Sequence, residues 1–162
     1  AQVEPPPQQD DEPTEEHEAL GYWVGSWSGS GEMKESPFGP SGPLEWTEEC
    51  KWFGGNKFHV VCRSEGTSPM GPMEGLGIIG YDAQKEVYTH YGVDSTGWAG
   101  LSEGTRTGDS WMFTSTETMG GKTYHSRFSM TKVSPAKMTF AWEMSEDGET
   151  WDVMMEGTTK KQ

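Results

Sequence analysis

The sequence has few of the residues that usually mark a nucleic-acid-binding or membrane-associated protein. It contains 12 Lys and Arg residues against 26 Asp and Glu residues, which gives a formal net charge of −14. It has no basic patch, and this argues against binding to nucleic acid or to anionic membranes. No apolar run approaches the length of a transmembrane helix, so we expect no membrane insertion.

Motifs for the common enzyme chemistries are also missing. The chain has no Gly-x-Ser-x-Gly elbow, no phosphate-binding glycine loop and no dinucleotide fingerprint. No Cys and His set has zinc spacing, and the Met70 and Met73 thioethers, which would suit Cu(I), are better interpreted as part of an apolar loop. We therefore expect no metal and no cofactor, and the sequence identifies no catalytic residue.

The apolar composition is unusual. There are 14 Ile, Leu and Val residues against 19 aromatic residues and 10 Met, together with 22 Gly. Abundant Gly and a scarcity of helix-forming runs favour a turn-rich all-β protein. Large rings and adaptable Met side chains suit the wall of a recess as well as a close-packed core, so both interpretations stay open.

Residues 122–156 alternate between apolar and polar side chains. Such a period of two is typical of strands with one covered face and one wet face. The polar face carries His125, Arg127 and Glu143. The apolar face carries Tyr124, Phe128, Met130, Met138, Phe140, Trp142, Met144, Trp151, Val153 and Met155.

About ten such segments, joined by short Gly-, Asp- and Pro-rich turns, follow a short helical turn near Thr14–Leu20. A meander of this size usually closes on itself, which predicts an up-and-down antiparallel β-barrel over residues 20–160; a two-sheet sandwich is the alternative. Residues 1–19 hold seven acids, no Lys or Arg and three consecutive prolines. We expect them to form a disordered acidic tail.

Two cysteines flank a predicted hairpin that turns at Gly54-Gly55-Asn56. If the turn centres on Asn56, Cys50 lies opposite Cys62 and a disulfide can form, although two free buried thiols are the alternative. The chain begins at Ala1 rather than Met, as a mature exported protein does after signal cleavage. Both features favour a secreted or periplasmic protein.

Three local patterns suggest a family. Gly21-Tyr22-Trp23 and Gly25-Ser26-Trp27 resemble the Gly-x-Trp opening of calycin barrels, the lipocalin-like class in which a Trp plugs the closed end. The stretch from Gly80-Tyr81-Asp82 to Asp94-Ser95 resembles a bacterial family known as domain of unknown function 1579. Asp147-Gly148-Glu149-Thr150-Trp151 is similar to the late turn of that family. The resemblance implies an exported calycin-like barrel and no established activity.

Candidate site residues follow from the predicted inner face. Glu48 lies opposite Ser64 among apolar neighbours, and Glu117 shares a face with Trp111 and Phe113; each is either a polar anchor in a cavity or a solvated residue at a barrel mouth. His90 could serve as a general base or an axial haem ligand, although a structural histidine is commoner. The predicted ligand-binding residues are Trp46, Glu48, Trp52, Tyr88, His90, Phe113, Tyr124, Phe128, Met130, Phe140 and Trp142.

These residues support three hypotheses. The preferred one is binding of a small hydrophobic or amphipathic molecule inside the barrel. The same cavity could instead hold an acid/base isomerase or hydrolase that uses Glu48 or His90. The third hypothesis is a structural or interaction protein with a solid core. The sequence leaves the ligand and the oligomeric state open.

Overall fold

The chain forms a closed antiparallel barrel of ten strands, in which each strand pairs with the next in sequence and the last pairs with the first. A computed structural model describes residues 12–162, so the predicted tail lies, as far as residue 11, outside the described residues. The up-and-down barrel is confirmed and the sandwich alternative was wrong. The elements are α1 (Glu15–Ala19), a 3-10 turn (Leu20–Tyr22), β1 (Gly25–Met33), β2 (Gly42–Trp52), β3 (His59–Ser68), β4 (Gly71–Asp82), β5 (Val87–Asp94), β6 (Ala99–Thr107), β7 (Ser110–Met119), β8 (Lys122–Ser134), β9 (Lys137–Ser145) and β10 (Asp152–Lys161).

The short helix α1 is fixed to the barrel by His17, whose side chain is only 3% exposed. Its Nε2 lies 3.0 Å from the carbonyl oxygen of Tyr81 and must donate to it, because a carbonyl can only accept. Its Nδ1 then accepts from the backbone N–H of Thr14 at 3.1 Å. The short helical turn predicted near Thr14–Leu20 is confirmed as α1. We propose that the folded domain begins near Thr14 rather than at residue 20. Over residues 12–162, no helix is long and apolar enough to cross a membrane.

A tryptophan-rich core closes the barrel end beside α1. Trp23 and Trp27 are each 1% exposed, and the indole N–H of Trp27 donates to the carbonyl of Trp23 at 2.7 Å. The Trp23 ring also packs 4.4 Å from the ring of Trp111. A buried Trp removes roughly 200 Å² from water, which contributes on the order of 5 kcal/mol before entropic losses. The expectation that the Gly-x-Trp segment plugs one end of the barrel agrees with this packing.

A β-bulge changes which residues of β10 face the interior. The register with β9 shifts between Val153 and Met155. Val153 therefore pairs with Glu143, which faces outward, while Met155 pairs with inward-facing Trp142. The expectation that Trp151 and Val153 share the inner face was wrong, because one extra residue reverses the alternation. The Trp151 ring instead lies 4.0 Å from the guanidinium carbon of Arg127 on the outside.

Two of the three motifs behind the family resemblance contain aspartates that hold hairpin turns. The Asp147 carboxylate accepts two backbone N–H groups, from Glu149 and Thr150, each at 2.8 Å. Because these bonds favour the ionised form, the pKa of Asp147 falls to about 2. Asp82 and Asp94 accept backbone N–H groups in the same way at their own turns. These motif residues therefore specify the barrel hairpins.

Candidate ligand site in the open half of the barrel

Two levels can be distinguished inside the barrel. The closed half is the core beside α1, and the open half is the interior lined by the opposite strand ends. All eleven predicted ligand-binding residues share the inward alternation of their strands. Trp52, Tyr88, Phe113 and Met130 belong to the closed-half core or pack against it. The open half is lined by Trp46, Tyr124, Phe128, Phe140 and Trp142, with Glu48 and His90 at the boundary between the halves.

Glu48 is the acid that the structure places inside the barrel wall. It lies on β2 between Trp27 of β1 and Ser64 of β3, so both neighbouring strands cover it. Its Oε1 lies 3.6 Å from the Sγ of Cys50. That sulfur is in a disulfide and carries no proton, and no other side chain of residues 12–162 hydrogen-bonds the carboxyl group. Burial disfavours the ionised form and raises the pKa of Glu48 to about 7.

The disulfide links Cys50 to Cys62 at the register predicted from the hairpin. Ligand atoms of Glu48, Cys50 and Cys62 all lie within 4.8 Å of one another, a spacing that would suit a metal ion. Both sulfurs are bonded to each other, however, and a disulfide offers no thiolate. In this oxidised form the cluster is a carboxyl group beside a disulfide rather than a metal centre.

His90 is the second titratable group that faces the interior. A Cβ added at Gly77 would lie 3.0 Å from its Nε2, so the imidazole extends over that glycine. Gly77 pairs with Cys62, which places the disulfide between His90 and Glu48. Two strands, β3 and β4, lie between β2, which carries Glu48, and β5, which carries His90. Burial lowers the pKa of His90 and keeps the ring neutral near pH 7.

The polar atoms of these two side chains are reached by solvent. Among the described residues, the fully buried side-chain polar atoms without a partner are Trp111 Nε1 and Thr159 Oγ1. Neither ring nitrogen of His90 has a hydrogen bond to the described residues. Neither nitrogen is among these fully buried atoms, so water reaches the imidazole. Trp46, Phe128 and Trp142 face inward yet are only half-buried. The open half is therefore partly exposed at the mouth of the barrel, although Leu44, Phe140 and Met144 are buried there.

Glycines on the inner face make room for the rings of the open half. A Cβ at Gly29 would lie 2.2 Å from the Trp46 indole, and one at Gly157 would lie 2.8 Å from the Phe140 ring. The Trp46 and Phe140 rings meet edge to face at 5.2 Å, and Phe140 stacks on Phe128 at 5.9 Å. The protein's own rings thus form a continuous aromatic wall along one side of the open half.

Trp98 was not among the predicted site residues. Its ring covers Gly92 and Gly100 at the open end, where added Cβ atoms would lie 3.0 and 2.5 Å from it. Its indole N–H donates to Glu117 at 3.4 Å, and Glu117 also accepts from the Ser115 hydroxyl at 3.0 Å. Trp98 follows the turn held by Asp94. An aromatic residue directly after a hairpin turn is the sequence feature that could have identified it.

The structure also has two depressions outside the open half. One, of about 400 Å³, is lined mainly by outward-facing residues of β8, β9 and β10, such as Ser129, Thr139 and Thr158. The other, of about 340 Å³, lies beside α1 and is lined by Glu16, Tyr88 and Arg106 among others. The first is lined largely by hydroxyl groups and backbone of the outer sheet face. Neither includes Glu48 or His90, so we keep the open half as the candidate site.

Comparison with known proteins supports the fold. The profile of a family described as "Protein of unknown function (DUF1579)" matches residues 12–161. A search of curated proteins gave no match. The crystal structure of Rv2717c from M. tuberculosis is similar, with a TM-score of 0.64, 13% identity, and coverage of 92% of this chain and 98% of that one. The structure of the S-type phycobiliprotein lyase CPES from Guillardia theta is also similar, with a TM-score of 0.59, 10% identity, and coverage of 92% of this chain and 93% of that one. These likenesses show a shared calycin-like barrel.

Proposed function

The chain belongs to the DUF1579 family, and we propose that its barrel binds a small amphipathic molecule in the open half. The observation that carries this proposal is the Glu48 carboxyl group, which lies in the barrel wall, only partly exposed to solvent, without a hydrogen-bond donor among the described residues. The partial burial of this carboxyl group disfavours its ionised form. A ligand that offers it a hydrogen-bond donor or a positive charge would therefore be favoured.

The remaining features supply the apolar part of such a site. Binding pockets are mostly apolar, with a few polar groups that fix orientation. The aromatic wall offers the apolar surface, and Glu48 on β2 and His90 on β5 are the polar anchors. The ring of Trp98 lies over Gly92 and Gly100 at the open end. The ligand would therefore have a polar end near Glu48 and an apolar body directed toward the mouth.

We also propose that the protein is exported. The disulfide supports this proposal, because disulfides persist in oxidising compartments and are rare in the cytosol. Cell fractionation of the source organism tests it. Recovery of the protein with its thiols reduced in the cytosolic fraction would contradict export.

The function is tested by native mass spectrometry of protein purified from its source. We expect a co-purifying small molecule in the wild-type protein and in Glu49→Gln. In Glu48→Gln we expect that molecule to be lost. Glu49 is a matched control because it is the next residue on β2, faces outward and is exposed. Equal retention by both variants would show that Glu48 is no anchor, and an empty wild-type protein would favour the solid-core alternative.

An acid/base enzyme is the second candidate, and one observation favours it. A pKa of about 7 places Glu48 where a carboxyl group can both accept and donate protons at neutral pH. If the co-purifying molecule is converted during incubation, and Glu48→Gln binds it without converting it, the enzyme hypothesis replaces the binding hypothesis. Unchanged recovery of the molecule would leave binding alone.

A further inference from the structure

The charged side chains that face the barrel interior are distributed unevenly. Lys132 and Lys161 lie at the closed half, where their Nζ atoms sit 4.9 Å from the centres of the Tyr22 and Trp27 rings respectively. Arg106 lies over Trp111 at the same end. The interior cations of the described chain are thus held at the closed half by aromatic rings.

The open half has the opposite charge. The charged side chains on its inward alternation are Glu48 and Glu117, with Asp94, Asp152 and Lys122 at the rim. Lys122 is the one cation of residues 12–162 in this set, and it is exposed and pairs with Glu146 at 3.4 Å. Glu117 accepts hydrogen bonds from neutral groups only, those of Ser115 and Trp98. His90 adds no positive charge, since burial lowers its pKa. The site therefore offers negative charge without an internal counter-ion.

The wall of the open half suits a soft cation. The faces of aromatic rings carry negative electrostatic potential and attract ammonium groups. Thioether sulfurs are polarisable and pack well against irregular apolar groups. Five methionines share the inward alternation near the mouth: Met33, Met73, Met119, Met144 and Met155.

We propose that the ligand of the open half is an organic cation, with an amine or quaternary ammonium head beside Glu48 and an apolar body along the aromatic and methionine wall. This proposal rests on the proposed function and specifies its ligand class. A bound cation would favour ionisation of Glu48 through its charge, and an amine head would also donate a hydrogen bond to the carboxylate. An anionic head would meet carboxyl groups at this level of the barrel, and a neutral head would not compensate the ionised form of Glu48.

The test compares three probes with the same ten-carbon chain: decyltrimethylammonium, decanol and decanoate. Each is titrated below its aggregation concentration at pH 8, with intrinsic Trp fluorescence and calorimetry as readouts. We expect decyltrimethylammonium to bind at least about tenfold more tightly than decanol, and decanoate to bind weakest. In Glu48→Gln the preference for the cation should fall to about threefold or less.

Glu49→Gln separates a site effect from general attraction to an acidic protein. Both variants remove one negative charge, so a loss of cation preference in both would assign the effect to net charge and overturn the proposal. Equal or tighter binding of decanol or decanoate by the wild-type protein would also overturn it while leaving the proposed function intact. Failure of all three probes to bind would contradict the proposed function itself. The far-ultraviolet circular dichroism of each variant confirms that it is folded.

Discussion

Replacement of Glu48 by Gln should change how the stability of the protein depends on pH. The pKa of Glu48 rises from 4.5 to about 7 on folding because the carboxyl group is buried. The folded protein therefore keeps this proton up to a higher pH than the unfolded chain does. Between those two values the folded state binds more protons, so the free energy of unfolding falls as the pH rises.

The magnitude follows from the shift. A difference of about 2.5 pKa units corresponds to about 3 kcal/mol at 1.36 kcal/mol per unit, and this contribution is fully lost above about pH 7. The amide of Gln does not titrate. Relative to the wild-type protein, Glu48→Gln should therefore gain up to about 3 kcal/mol between pH 4.5 and pH 8.

Urea denaturation at several pH values measures this difference, with the disulfide kept oxidised. Contributions from other titrating groups are common to both proteins and cancel. Glu49→Gln, on the exposed side of the same strand, should show no comparable gain. A difference between Glu48→Gln and the wild-type protein that stays constant from pH 4.5 to pH 8 would refute the assignment of a buried, unpartnered carboxyl group.

Other substitutions give further predictions. His90 has a lowered pKa in the folded state, so below about pH 6.5 the unfolded chain takes up the proton first and the wild-type protein loses stability. His90→Gln cannot take up this proton and should lose less stability in acid. Acid unfolding monitored by fluorescence measures the difference. Gly29→Ala should destabilise the barrel by about 1–3 kcal/mol in urea, since the new methyl would overlap the Trp46 ring; an unchanged midpoint would show that the ring can move away. His17→Ala should expose α1 to limited proteolysis and destabilise the protein by about 1–3 kcal/mol, because it removes the bonds to Thr14 and Tyr81; a helix as protected as in the wild-type protein would contradict this role.

Local sequence patterns were sufficient for the strands and for the disulfide. A hairpin turn at Asn56 sets the register of β2 and β3, and register alone brings Cys50 opposite Cys62 and Glu48 opposite Ser64. The inward alternation of the aromatic residues follows from the same period of two. These features depend on neighbours along the chain or across one turn, which is why the sequence reveals them.

Features that depend on distant contacts were missed. His17 is ordered by a carbonyl group 64 residues away, and nothing in the acidic segment around it indicates that partner. The outward position of Trp151 depends on one extra residue in β10, which a regular alternation does not reveal. The indole of Trp98 donates to Glu117 on β7, 19 residues later. The division between a solid closed half and an accessible open half likewise appears only once the barrel has closed.

The central claim is that a small molecule enters the open half of the barrel, and methionine-methyl NMR tests it most directly. Titration with decyltrimethylammonium should shift the signals of Met144 and Met155, which face the open half. The signals of Met112, which is exposed on the outer surface, and of Met138, which is buried in the closed half, should stay unchanged. Shifts confined to Met112, or no shifts at saturating probe, would contradict binding inside the barrel.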